Sequence, residues 1–235
     1  NNSDIVTSVS KSLKEDTLKF FKIRNEIEVI PNFIDCSKYD NKAFTDCQRE
    51  MMAENKERII THISNFRKVK RIDDVIKIFY EIQKKIDAKL MMVGEGPEKE
   101  MAEDLVDELN IADKVMFLGQ SHEIDKILCF SDLFLLPSEK ESFGLSALEA
   151  MVNGVAIIST NTGGLPEVNQ NGISGYLSNV GDVQEMAANA LKILENDETL
   201  EKFKNNARSV AEKFDIKNVM PLYEDIYKRA LQITV

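Results

Sequence analysis

No stretch of this sequence approaches the ~20 consecutive apolar residues that a bilayer-spanning helix needs, so no transmembrane segment is expected. The first residues, Asn1-Asn2-Ser3-Asp4, lack the basic and apolar regions of a secretory leader. They also lack an initiating Met and run straight into Ile5-Val6-Thr7-Ser8-Val9, as a piece of a longer chain would. Positive charge is scarce, with 30 Lys and Arg against 40 Asp and Glu and a formal net charge of −10. No basic stripe with interleaved aromatics offsets that balance, which argues against nucleic acid as a partner. Cysteine is limited to Cys36, Cys47 and Cys129, an odd number without metal-ligand spacing. They read as reduced thiols of a cytoplasmic protein, whereas a Cys36–Cys47 disulfide would need an oxidising compartment. There is no GxxxxGK phosphate loop, Ser-His-Asp set, zinc set or Cys nucleophile, and no internal repeat or low-complexity segment. No metal site and no cofactor are expected.

The 235 residues are 43% hydrophobic, enough for a sizeable core in one large domain or in a domain plus a piece of another. From residue 58 onward, short apolar runs alternate with amphipathic segments. Strands are expected at 58–64, 89–93, 114–118, 133–136, 155–159 and 175–178, and helices at 72–85, 97–109, 123–130, 144–152 and 183–195. Ile72, Val75, Ile76, Phe79 and Ile82 show the helical period. Strands separated by helices mean parallel pairing with crossovers, an α/β fold with a doubly wound parallel sheet. Such sheets bind ligands beyond the carboxyl ends of their strands. Residues 1–34 read as a strand, a helix and a second strand, 35–57 as a polar linker or arm, 58–215 as the main domain, and 216–235 as a final helix after another at 198–213.

The most informative stretch runs from Ser138 to Ala150, directly after the apolar run that ends at Pro137. It joins a strand end, a tight loop and a helix start, which together suit a phosphate group. With Ser142 as the cap, the amides of Gly144, Leu145 and Ser146 would face outward from the first turn, and Gly144 would let a ligand approach the backbone. Glu141 and Glu149 lie on either side of Phe143-Gly144. An ionised carboxylate only accepts hydrogen bonds, so the pair suits the hydroxyls of a ribose or sugar. Glu149 sits among Ala147, Leu148, Ala150, Met151 and Val152, where a carboxylate without a partner is costly. The plainer alternative is a solvated Glu149 and a Glu141 that complements the helix dipole.

A cationic run, Arg67-Lys68-Val69-Lys70-Arg71, follows the first strand of the main domain and would hold a diphosphate by Arg fork and Lys point charge; otherwise it is a solvated loop. Gly94-Glu95-Gly96-Pro97 begins like a dinucleotide fingerprint, but Lys99 stands at the third glycine position. A backbone-lined pocket and an ordinary turn both fit it. Gly163-Gly164-Leu165-Pro166-Glu167 reads as a second loop of close approach. His62 reads as structural, and His122 is ambiguous.

Taken together, the stretches at 65–73, 91–97, 115–119, 141–151 and 163–167 resemble the family 4 retaining glycosyltransferases, and in the same order. The resemblance implies the Rossmann-like C-terminal domain of a two-domain GT-B enzyme, with residues 1–34 the end of an acceptor-binding N-terminal domain and the last helix crossing back to it. Within the family, His62 to Arg71 looks most like the bacillithiol-biosynthesis branch, which joins N-acetylglucosamine from UDP-GlcNAc to L-malate. The implied partners are a nucleotide-sugar donor as co-substrate and a small hydroxy-acid acceptor; a homo-oligomer is left open. The implied roles are ribose binding by Glu149, sugar contact and charge stabilisation by Glu141, and diphosphate binding by Arg67, Lys70 and the amides of Gly144 and Leu145. Gly94, Gly96, Ser121 and Phe143 complete the implied donor site, Ser121 through its backbone. The family's usual phosphate-binding arginine would align with Asn65, so Arg67 is expected to take its role. This part alone is expected to be inactive. A lipid or polysaccharide acceptor, or a non-catalytic nucleotide-sugar-binding module, are the alternatives.

Overall fold

The computed structural model describes residues 3–39, 49 and 57–233. Most of the expected linker, and Cys47 with the Cys36–Cys47 alternative, lies outside the described residues. The first strands, β1 (Val6–Ser8) and β2 (Ile27–Val29), pair in parallel around helix α1 (Lys11–Phe20).

The main sheet has six strands: β3 (Arg58–Ile63), β4 (Ala88–Val93), β5 (Val115–Gly119), β6 (Leu133–Leu136), β7 (Ala156–Thr160) and β8 (Gly175–Ser178). All pairs are parallel, in the order β5-β4-β3-β6-β7-β8. The crossovers are α2 (Ile72–Gln83), α3 (Lys99–Glu108), α4 (Ile124–Cys129), α5 (Leu145–Val152) and the short α6 (Leu165–Val168). Then follow α7 (Val183–Leu194), α8 (Asp197–Ala211) and α9 (Ile216–Ile233). The doubly wound parallel sheet expected from the sequence is present.

Strand periodicity explains why both faces are covered. Leu133 and Leu135 of β6 pack with Val75, Phe79 and Met186 from α2 and α7. The alternate residues, Phe134 and Leu136, pack with Leu148 and Met151 of α5 and with Val210 of α8. Burial on both faces makes β6 a continuous apolar run instead of an alternating one. The order of strands reverses between β3 and β6, so the loops after these two strands flank a crevice at the carboxyl edge.

The N-terminal strands are tied to the chain's end. Ile34 exchanges backbone hydrogen bonds with Phe214 and Ile216, at 3.0 and 2.8 Å. On α9, Val219 and Ile226 pack on Ile30, and Arg229 forks onto both Glu28 carboxylate oxygens at 2.9 and 2.6 Å. Among the described residues no helix is long and apolar enough to cross a membrane.

Candidate functional site

The two loops at the switch point meet directly. Lys70 Nζ donates to Glu141 Oε1 at 2.5 Å, and Ser138 Oγ donates to the same oxygen at 3.0 Å. Behind them, the Glu139 amide bonds the Val69 carbonyl at 2.9 Å, stitching the loop after β6 to the loop after β3. Both members of the ion pair are mostly buried, with side chains 19% and 13% exposed, so solvent screens it less than a surface pair.

The cationic run is therefore not a uniform clamp. Lys70 is held by Glu141, and Arg71 pairs with Asp74 at 2.5 Å. The Arg67 side chain is exposed and makes no hydrogen bond or ion pair among the described residues; only its carbonyl is used, accepting the Lys70 amide at 2.7 Å. It is the cation of the implied pair that is free to meet an incoming anion.

The Glu141 loop is shaped by backbone on its far side. The Gly164 amide donates to the Glu141 carbonyl at 2.9 Å. A Cβ on Gly163 would lie 2.0 Å from that carbonyl oxygen, and one on Gly164 would lie 2.5 Å from the Ser142 oxygen. Only glycine permits this approach. Phe143 is buried and meets Phe214 edge-on at 5.6 Å, anchoring the loop in the core.

One expectation is corrected here. Ser142 does not cap α5; Gly144 does, with φ 102° and no side-chain cap bond. The Ser142 carbonyl is instead occupied by Ser10 Oγ at 2.6 Å, and the left-handed turn needed to enter the helix falls on the residue that tolerates it. The first intrahelical bond runs from Leu148 N to Gly144 O. The outward amides are thus those of Leu145, Ser146 and Ala147, one residue later than expected. Leu145 is 47% exposed beside them.

Glu149 lies one turn into α5, half-buried, with no side-chain hydrogen bond or ion pair among the described residues. Burial, with a smaller effect from the charge of Asp125, pushes its pKa above the ordinary carboxylate value. Tyr39, pushed up to about 12 by burial first and then by Asp125 and Glu149, is close enough to feel the same carboxylates.

The remaining sequence candidates have local work. A Cβ on Gly94 would sit 1.8 Å from the Ser64 oxygen and one on Gly96 2.3 Å from the Asn65 oxygen, so these glycines let the loop after β4 support the loop carrying Arg67 and Lys70. Ser121 Oγ accepts from the Glu123 amide at 3.0 Å, beyond the end of β5. His62 is fully buried in β3, and His122 is exposed. Sequence reasoning missed two contributors, Ser138 and Ser10; only the local small-residue pattern hinted at either. Among the described residues, no group of His, Cys, Asp and Glu could hold a metal ion.

A doubly wound sheet with a phosphate-ready helix start and two carboxylates at its switch point defines a lobe of the GT-B type. Solved structures share this fold. A sucrose-phosphate synthase from Thermosynechococcus elongatus superposes with a TM-score of 0.88, at 22% identity over 99% of this chain and 59% of that one. Anabaena HepE, solved with UDP and glucose, gives 0.85 at 21% identity over 95% of this chain and 63% of that one. The sequence profile of the family "Glycosyl transferases group 1" matches residues 46–210. The chain belongs to this glycosyltransferase family. It is also 44% identical over 231 residues to the N-acetyl-alpha-D-glucosaminyl L-malate synthase of Bacillus anthracis, covering 98% of this chain and 61% of that protein. The chain therefore spans about three fifths of that relative's length.

Proposed function

We propose that this chain is the donor-binding part of a retaining glycosyltransferase that moves N-acetylglucosamine from UDP-GlcNAc to L-malate, the step that serves bacillithiol biosynthesis. The observation that carries the reading is the 44% identity to the malate synthase over 98% of the chain.

The chemistry follows from the site residues. Glu149, unpartnered and half-buried, accepts the ribose hydroxyls. The outward amides at the start of α5, with Arg67 and Lys70, receive the diphosphate. Glu141 accepts from sugar hydroxyls and faces the positive charge that develops at the anomeric carbon. When the anomeric C–O bond breaks, its electron pair leaves with UDP, and the gathered donors stabilise a charge that grows in the transition state. The malate hydroxyl oxygen then bonds the anomeric carbon from the face the phosphate left, and its proton passes to a phosphate oxygen. The negative charge of the leaving group is met by the Arg67 and Lys70 cations and by amide hydrogen bonds, and neither a metal ion nor a further cofactor is assigned. Both substrates are small and polar, which fits a cytoplasmic reaction.

The test is a transfer assay with full-length protein, UDP-GlcNAc and L-malate, read by NMR of the product. An α-linked N-acetylglucosaminyl malate with release of UDP supports the reading. A β-linked product, or transfer to a lipid or glycan acceptor but not to malate, overturns it.

A further inference from the structure

Helix α1 begins against the loops just described. Its first turn has no acidic residue of its own. The missing negative charge arrives from elsewhere in the sequence: Glu167 of α6 accepts the Lys11 amide on Oε2 and the Ser12 amide on Oε1, both at 3.0 Å. Ser10 completes the cap. Its Oγ accepts the Leu13 amide at 3.0 Å and donates to the Ser142 carbonyl at 2.6 Å. Three amides of one helix start are therefore satisfied by a cap in which Ser10 bonds the Ser142 carbonyl directly and Glu167 stands on the short helix that follows Gly164.

Those contacts converge on Glu141. Its own carbonyl is held by Gly164, three residues before Glu167, and its neighbour's carbonyl is held by Ser10. A cleft of about 280 Å³ opens beside it, with Ser12, Leu13 and Asp16 of α1 on one wall and Glu141, Ser142 and Gly163 on the other. Helix α1 thus supplies one wall of this cleft. An exposed Lys140–Asp16 pair at 3.5 Å spans the same gap and adds little, being screened by solvent.

We infer that Glu167 is a positioning residue that couples occupancy of the Glu141 loop to the seating of α1, so that a bound donor sugar tightens the wall that the N-terminal part of the chain contributes to the cleft. The inference rests on the donor-site reading above. Coupling of this kind is reciprocal: a ligand that prefers the seated loop must also steady the helix bonded to it. A carboxylate gripping two backbone amides is suited to this, because charge-assisted bonds on both its oxygens are strong and fix its orientation.

Hydrogen exchange on the chain, with and without UDP-GlcNAc, tests it. Donor binding is expected to slow exchange of the Lys11, Ser12 and Leu13 amides by about fivefold or more, in line with ordinary coupling between sites. Glu167→Ala is expected to abolish that ligand-dependent slowing while residues 141–149 remain protected by the donor. Asp16→Asn, which removes only the solvent-screened pairs with Lys140 and Lys19, is expected to keep it. A role confined to capping would raise α1 exchange equally with and without ligand, and that result overturns the inference. So does an α1 that ignores the donor in the unaltered chain. Absence of any protection at 141–149 contradicts the donor-site reading itself, and the inference falls with it.

Discussion

His62 offers a quantitative test of how the switch point is held together. It is fully buried in β3 between Phe66 and Phe134, whose rings lie 6.1 and 6.5 Å away by centroid. Its Nδ1 lies 2.8 Å from the Leu135 carbonyl, which can only accept, so the proton is on Nδ1. Nε2 then accepts from Ser64 Oγ at 2.8 Å, at the head of the loop that carries Arg67 and Lys70. Protonation would remove that acceptor and bury a cation. Burial foremost, with Lys70 adding a like charge, lowers the pKa from 6.5 to about 4. Between those two values the unfolded chain binds a proton that the folded chain refuses. Stability therefore falls as pH drops from 6.5 toward 4 and is unaffected by this group above 6.5. A depression of that size corresponds to about 3 kcal/mol in full. Carboxylates titrate in the same range, so the comparison is urea unfolding of the parent and His62→Gln at a series of pH values from neutral to 4. The parent is expected to lose about 3 kcal/mol more than the variant over that range. Parallel profiles would refute both the neutral tautomer and the argument that burial controls it.

Three further outcomes follow from the packing of the loops. Gly163→Ala places a methyl 2.0 Å from the Glu141 oxygen at φ +58°, and should lower stability by roughly 1–3 kcal/mol in thermal unfolding. Phe143→Ala removes a ring that is 3% exposed and should cost about 3–5 kcal/mol by denaturant titration. Arg67→Ala removes an exposed side chain, so stability should stay within about 0.5 kcal/mol while affinity for UDP falls and affinity for uridine does not; equal loss for both ligands would remove Arg67 from the diphosphate site.

The main sheet was legible because crossover strands and helices carry different periods. The runs at 133–136 and 175–178 are strands over those same residues, and the other elements differ by one or two residues at their ends. The Gly144 cap was not legible, because a serine before a helix looks like the better cap until another segment takes its carbonyl. Helix α6 was hidden for a related reason: four residues with a proline near the start give no period to read. Lys70 and Glu141 could each be singled out from sequence, but their pairing is set by strands β3 and β6 lying side by side, far apart in the chain. Glu167 is the same kind of case, since a carboxylate serving another helix's amides leaves no local spacing behind.

The central claim, that Glu149 and the start of α5 form a uridine-nucleotide donor site, is tested most directly by calorimetric titration. The unaltered chain and Glu149→Ala would each be titrated with UDP-GlcNAc, UDP, ADP and GDP. The prediction is selective binding of the uridine ligands, weakened in Glu149→Ala by about 10- to 100-fold, the worth of hydrogen bonds to a charged group. Because burial raises the Glu149 pKa from its ordinary value, affinity should begin to fall on acidification sooner than an exposed glutamate would cause. Equal affinity for all the nucleotides, or unchanged uridine binding in Glu149→Ala, would contradict the account.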